Sequence, residues 1–244
     1  MADERLRIDA IIPARGGSKA IPGKNVVGFL GHPLISWTID CARRCGAVEK
    51  VWVSTDDQTI ANVARQYGAL VIDRPISISG DTASSESALI HAATIISEAN
   101  SDAPSHFLFL QPTSPLRETC ELERAVETLK SGRLDSLFSA APAEDFCLWN
   151  RCAGELTSLN FDYLNRGRRQ DRPDDDVWIE TGSFYLTAVD GLVRTGNRLH
   201  GKIGMQPVEP WKVFEIDSPA GLDLCSAVFS AKLANIVPPP TKQL

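Results

Sequence analysis

Residues 8–25 read IDAIIPARGGSKAIPGKN: an apolar run at 8–13 that ends in proline, then a turn with adjacent glycines and three cationic side chains. A short apolar run bounded by turn residues is a buried strand. Gly16 and Gly17, placed at its carboxyl end, let the backbone approach a ligand closely and aim N–H groups at an anion. Arg15, Lys19 and Lys24 add cationic donors within the same loop, which suits a triphosphate whose charge must be neutralised before a nucleophile can approach. Open α/β sheets bind ligands at the carboxyl ends of their strands, where this turn sits. A basic, glycine-rich surface turn without a ligand is the alternative. Two better-known phosphate motifs fail. Ser18 stands where a Walker A loop needs its first glycine, Asn25 stands where it needs Ser or Thr, and GxGxxG is absent.

Outward from this loop the first half of the chain alternates strands with amphipathic helices. Ile35, Ile39 and Ala42 mark a helix within 33–45, VWVST at 51–55 a strand, and Ile60, Val63, Ala64 and Tyr67 a helix face. A helix over about 85–99, the apolar strand FLFL at 107–110, a helix carrying Leu122, Ala125, Val126 and Leu129, and the strand LFSA at 137–140 follow. Strands alternating with helices predict an α/β fold built of right-handed βαβ units around a mostly parallel, two-sided sheet. Between about 142 and 178 the pattern breaks into a polar stretch that includes RGRRQDRPDDD, too charged for a core. Order returns with SFYLT at 183–187, a strand at 202–207, VFEID at 213–217 and a helix over about 219–233. These boundaries divide the chain into an α/β domain, 1–141 and 179–236, an inserted arm, 142–178, and a disordered proline-rich tail, 237–244.

With 244 residues, 43% hydrophobic and 23% charged, the chain has the balance of an ordinary globular protein. A net charge of −6 gives no global drive toward nucleic acid or anionic lipid, so an anionic ligand must meet a local basic cluster. No apolar run reaches membrane-spanning length, and the charged opening MADERLRID lacks the apolar core of a secretion signal. The expectation is a cytoplasmic protein whose six cysteines are reduced and mostly buried.

Later segments carry further chemistry. Gln111-Pro112-Thr113-Ser114-Pro115 follows FLFL, so its polar side chains should crown the sheet beside the first loop and suit a polyhydroxylated ligand. Asp217 ends the apolar run VFEID, where a carboxylate fits either a hard cation or the N-cap of the next helix, a role equally open to Ser218. Asp81 and Ser84 are each candidate caps for the helix near 85. None of the four histidines, 32, 91, 106 and 200, falls in these segments.

Ile12–Lys19, Pro22–Asn25, Ser54-Thr55-Asp56, Gln111–Arg117, Arg168–Asp171, Glu180–Tyr185 and Glu215-Ile216-Asp217 together resemble the CMP-acylneuraminate (sialic acid) synthetases over about residues 8–230. The resemblance implies a Rossmann-like nucleotidyltransferase fold with an inserted dimerisation arm, and an enzyme that joins CMP from CTP to the anomeric hydroxyl of a nonulosonic acid. It implies nucleotide contacts from Ala14, Arg15, Gly16, Gly17, Ser18, Lys19, Lys24, Asn25, Arg74, Thr82, Ala83 and Ser84. Sugar contacts would come from Gln111, Thr113, Ser114, Arg168, Arg169, Gln170, Phe184 and Tyr185, with the arm reaching over the partner's site in a homodimer. Strand packing is the alternative for Phe184. Arg15, Lys24 and Asp217 would be catalytic. Asp217 with Glu215 would hold Mg²⁺, or Mn²⁺ in its place, although relatives usually have Asp where this chain has Glu215. Thr181 stands where relatives have Asn. A synthetase for the eight-carbon acid Kdo is the nearest rival, disfavoured by Thr113 where such an enzyme has a metal-binding Asp. A non-catalytic nucleotide-sugar binder is the other.

Overall fold

The structure, a computed structural model, describes residues 6–99, 103–143, 147–166 and 177–243. The strands are β1 (Ile8–Pro13), β2 (Gly28–Phe29), β3 (His32–Pro33), β4 (Val48–Thr55), β5 (Leu70–Asp73), β6 (His106–Leu110), β7 (Ser136–Pro142), β8 (Trp149–Cys152), β9 (Glu155–Ser158), β10 (Trp178–Ala188) and β11 (Ile203–Pro207). The helices are α1 (Leu34–Arg44), α2 (Gln58–Gln66), α3 (Ser85–Ala99), α4 (Thr119–Gly132), α5 (Val189–Thr195) and α6 (Pro219–Lys232).

Seven strands form one sheet in the order β11-β7-β10-β6-β1-β4-β5. All neighbours run parallel except β10, which is antiparallel to both β6 and β7. The period of two along β1 sends Ile8, Ala10 and Ile12 to one face, where they meet Ile35 and Ile39 of α1, Ile60 of α2 and Leu122 of α4. Ile11 and the phenyl rings of Phe107 and Phe109 point to the other face, against Leu89, Ala92 and Ile96 of α3. A third cluster, around Phe29, Trp37 and Phe229, joins α6 to the start of α1. The mostly parallel sheet expected from the alternation is present, and β1 and α3 have the predicted ends.

Four features depart from the sequence reading. The polar stretch contains a hairpin, β8 to β9. β10 begins at Trp178 and carries the Glu-Thr-Gly-Ser run in its ladder through a register shift between Glu180 and Tyr185. VFEID is not a strand. A 3-10 turn spans Pro210–Val213, and the run is apolar because Val213 and Ile216 enter two cores, while Ile216 N donates to Thr113 O at 2.8 Å. The C-terminal tail, expected to be disordered, lies along α1 and α2: Pro240 is buried, Thr241 N donates to Asp40 Oδ1 (3.4 Å) and Gln243 N to Gln66 O (2.8 Å). Prolines there preclude a helix but not packing, since two of the remaining N–H groups still find acceptors.

Cys41, Cys45 and Cys225 are buried, but Cys120 and Cys152 are exposed. Burial pushes the Cys41 thiol up to about 11. Among the described residues no helix is long and apolar enough to cross a membrane.

Candidate active site

The loop after β1 is shaped by the β4–α2 turn beside it. Ala14 N donates to Ser54 O (2.9 Å), extending the ladder by one residue before the chain turns. Gly16 N then donates to Asp56 Oδ1 (3.0 Å). The neighbouring Asp57 is the N-cap of α2, its Oδ1 accepting from Thr59 N (2.7 Å) and Ile60 N (2.9 Å). A Cβ on Gly16 would lie 2.7 Å from Asp57 Oδ2, so glycine is required by this fixed carboxylate. Asn25 Nδ2 closes the loop by donating to Arg15 O (3.0 Å).

Every loop cation meets a carboxylate from another segment of the chain. Arg15 Nη1 and Asp81 Oδ1 are 2.6 Å apart, Lys19 Nζ and Asp81 Oδ2 are 2.5 Å apart, and Lys24 Nζ and Asp217 Oδ1 are 2.9 Å apart. Lys19 and then Arg15 hold the Asp81 carboxyl below the usual carboxylate range. Arg74, at the end of β5, is buried and donates from Nη2 to Ser54 O. Burial draws its guanidinium down, and Asp56 opposes that. Among the described residues Arg74 Nε and Ser54 Oγ find no partner, which leaves polar capacity inside the pocket wall.

The opposite wall is cross-linked from within. Arg117, 3% exposed, donates from Nε to Ser183 Oγ (2.9 Å), and from Nη2 to Gln111 O (3.0 Å) and Ser183 O (2.5 Å). Gln111 Nε2 donates to Gly182 O (2.7 Å), and Ser114 Oγ to Glu215 Oε1 (2.9 Å). Gly182 has φ 67, a left-handed conformation that favours glycine, and a Cβ there would press on the ends of the Glu215 and Gln111 side chains. Lys212, 1% exposed, sits 2.6 Å from both Glu118 Oε1 and Glu121 Oε1, anchoring the segment that ends in Glu215 and Asp217 onto α4. Burial raises the Glu215 carboxyl; the Ser114 hydroxyl opposes this and the Asp217 charge adds to it.

A cleft of about 270 Å³ lies between the walls, with Arg15, Lys24, Asn25, Arg74, Ala83 and Ser84 on one side and Gln111, Thr113, Glu215 and Asp217 on the other. Ser218 Oγ, not Asp217, caps α6, accepting from Gly221 N (3.1 Å), which leaves Asp217 to the cleft. Ser84 Oγ accepts from Ser87 N (3.1 Å), the capping role, and Ser84 also lines the cleft.

Other expected residues stand back from it. Ala14 is buried in the core, and Ser114 lies behind Glu215. Gly17, Ser18, Lys19 and Thr82 belong to the turns at the rim and are not among the lining residues. Phe184 is a correction: it is fully buried on the α1–α4 face and is not among the lining residues, because alternation along β10 turns it to the face opposite Tyr185. Tyr185 lies behind the lining residue Phe109, with ring centroids 5.3 Å apart and planes at 17°, and its hydroxyl donates to Glu180. Thr181 hydrogen-bonds Ser139 Oγ (2.7 Å) inside the sheet. Arg168, Arg169 and Gln170 lie outside the described residues. Sequence reasoning missed Phe109 and the supporting roles of Arg117 and Lys212. A cation at the edge of an apolar segment was the available signal for the last two.

Fold and cleft define a nucleotidyltransferase-type α/β protein. The chain belongs to the cytidylyltransferase family, whose model matches residues 10–147. It is 37% identical to an N-acylneuraminate cytidylyltransferase of Oncorhynchus mykiss, over 75% of this chain and 41% of that one. It is 40% identical to a pseudaminic acid cytidylyltransferase of Campylobacter jejuni, over 55% and 58%. A CMP-N,N'-diacetyllegionaminic acid synthase of Legionella pneumophila is 43% identical, over 77% of this chain and 81% of that one. The chain spans about half the length of the first two relatives. In fold it matches a CMP:2-keto-3-deoxy-manno-octonic acid synthetase complexed with CTP, with TM-score 0.67 and 19% identity over 93% of this chain and 100% of that one. A 4-diphosphocytidyl-2C-methyl-D-erythritol synthase also matches, with TM-score 0.67 and 13% identity over 91% and 99%.

Proposed function

We propose that the chain transfers CMP from CTP to the anomeric hydroxyl of a nonulosonic, sialic-type acid and releases pyrophosphate. The observation that carries this reading is the convergence, in one cleft of a cytidylyltransferase, of Arg15 and Lys24 on one wall with Gln111 and Asp217 on the other. The relatives named for acylneuraminate, pseudaminic and legionaminic acids support the acceptor class.

Arg15 and Lys24 exchange their carboxylate partners for phosphate oxygens, and so neutralise charge that grows on the departing pyrophosphate. Ala83, Ser84 and Arg74 receive the cytidine end. Gln111 and Thr113 orient the sugar acid beside the lining residue Phe109, so that its anomeric hydroxyl faces the α-phosphorus. Glu215, with its carboxyl raised by burial and held by Ser114, is placed to take the proton that the attacking hydroxyl loses.

Among the described residues no cluster of three metal-ligating side chains exists, but Asp217 and Glu215 both face the cleft. One or two carboxylates completed by phosphate oxygens are what Mg²⁺ takes, so the donor set fits Mg²⁺, or Mn²⁺, at Asp217 with Glu215 beside it. Bound there, the ion supplies charge neutralisation at the reacting phosphate.

We further infer a cytoplasmic homodimer. The hairpin β8–β9 and its flanks expose Leu148, Trp149, Leu156, Leu159 and Leu164, an apolar surface suited to a second subunit. Pyrophosphate release from CTP, measured over N-acetylneuraminic, legionaminic and pseudaminic acids, KDN and Kdo, tests the proposal. Turnover with one or more nine-carbon acids is expected. Turnover with Kdo alone, or with none, overturns the acceptor assignment.

A further inference from the structure

Asp81 lies in the turn before α3, where Ala83 N donates to Gly80 O (3.1 Å). Its carboxylate has no part in capping that helix, since Ser84 Oγ accepts from Ser87 N. Instead each oxygen takes one cation from the loop after β1: Oδ1 takes Arg15 and Oδ2 takes Lys19, at 2.6 and 2.5 Å. One carboxylate from the base side of the cleft thus sits on two donors of the phosphate side.

A carboxylate and a phosphate present the same chemistry to a guanidinium and an ammonium: anionic oxygens that accept charge-assisted bonds. The same N–H groups cannot serve both fully. We infer that Asp81 is an internal competitor for the phosphate loop, which sets the loop's grip on phosphate groups and weakens it most for ligands that have no other hold on the protein. The inference rests on the reading that CTP enters this cleft and pyrophosphate leaves it. CTP has a cytidine end to place against Ala83, Ser84 and Arg74, so it compensates for the competition. Pyrophosphate has only its phosphates, so the full effect falls on the product. Without Asp81 the freed Arg15 and Lys19 would retain the leaving group. Both members of the Lys19–Asp81 pair are open to solvent (side chains 83% and 46% exposed), so the exchange needs no buried rearrangement.

Calorimetric titration of inorganic pyrophosphate into the full chain, in metal-free buffer and without CTP or sugar, tests this apart from any transfer activity. Asp81→Asn should bind pyrophosphate about threefold to tenfold more tightly than wild type, the scale expected for losing two exposed ion pairs. Asp81→Glu, which keeps the charge, should stay within about twofold of wild type. A cycle separates competition from simple charge. Lys19→Gln should cost little affinity in wild type, where Lys19 is engaged by Asp81, and clearly more in the Asp81→Asn background. Unchanged or weaker pyrophosphate binding by Asp81→Asn, with a wild-type melt, overturns the inference and makes Asp81 a scaffold of the loop. Additive effects in the cycle, or no binding by any variant, overturn it equally. Failure of the panel assay with success here would instead sink the transfer reading alone.

Discussion

The two walls of the cleft are built by opposite means. The loop after β1 is held by glycines, one backbone bond to Asp56 and ion pairs at the surface. The wall formed by Gln111–Arg117, β10 and the segment before α6 is fastened by buried groups, above all Arg117 and Lys212. Exposed pairs contribute about 0–1 kcal/mol and exchange readily. A buried charge that loses its partners costs several times more. One wall is thus suited to receive phosphates, and the other to fix the groups around the reacting centre.

Arg117→Met should show the largest effect. It leaves the carbonyls of Gln111 and Ser183 without their buried donor, so a loss of about 3 kcal/mol in unfolding free energy is expected from denaturant titration. Lys24→Ala should lower stability by less than about 1 kcal/mol while raising KM for CTP, because its partner Asp217 is largely exposed. Equal destabilisation by both would erase the contrast between the walls. Asp217→Asn should leave the melt unchanged and lower kcat at least about a hundredfold, or about 2.7 kcal/mol, as removal of a charge at the reacting phosphate does. Near-normal kcat at saturating Mg²⁺ would remove Asp217 from the metal site.

Two weaker effects refine the picture. CTP should exceed UTP in kcat/KM by roughly tenfold or more, because uracil leaves the polar groups near Ala83 and Ser84 unpaired. Subunits with Lys24→Ala mixed with subunits carrying Arg168→Ala and Arg169→Ala should regain activity toward about a quarter of wild type if the arm acts in trans. No recovery after confirmed exchange would leave the arm serving its own subunit.

Much of the receiving wall was legible in the sequence, because its devices are local: a strand, two glycines and cations within one turn. The fastening wall was legible as a motif but not in its mechanics. Nothing near Arg117 names Ser183 as its partner, and Lys212 meets Glu118 and Glu121 only through the fold. Phe184 and Tyr185 were read together, yet alternation along β10 sends one into the core and the other behind Phe109. The run VFEID looks like a strand because burial, not pairing, selects its apolar residues. The tail shows the reverse error, where prolines suggest disorder but the backbone still finds Asp40 and Gln66.

The most direct test of the central claim is a phosphorus NMR time course of the protein with CTP, Mg²⁺ and whichever acid the panel selects. The expected result is loss of the three CTP resonances in step with the rise of one phosphodiester signal and one pyrophosphate signal in equal amounts. Formation of CDP or inorganic phosphate, or CTP left unchanged with every acid, would contradict it.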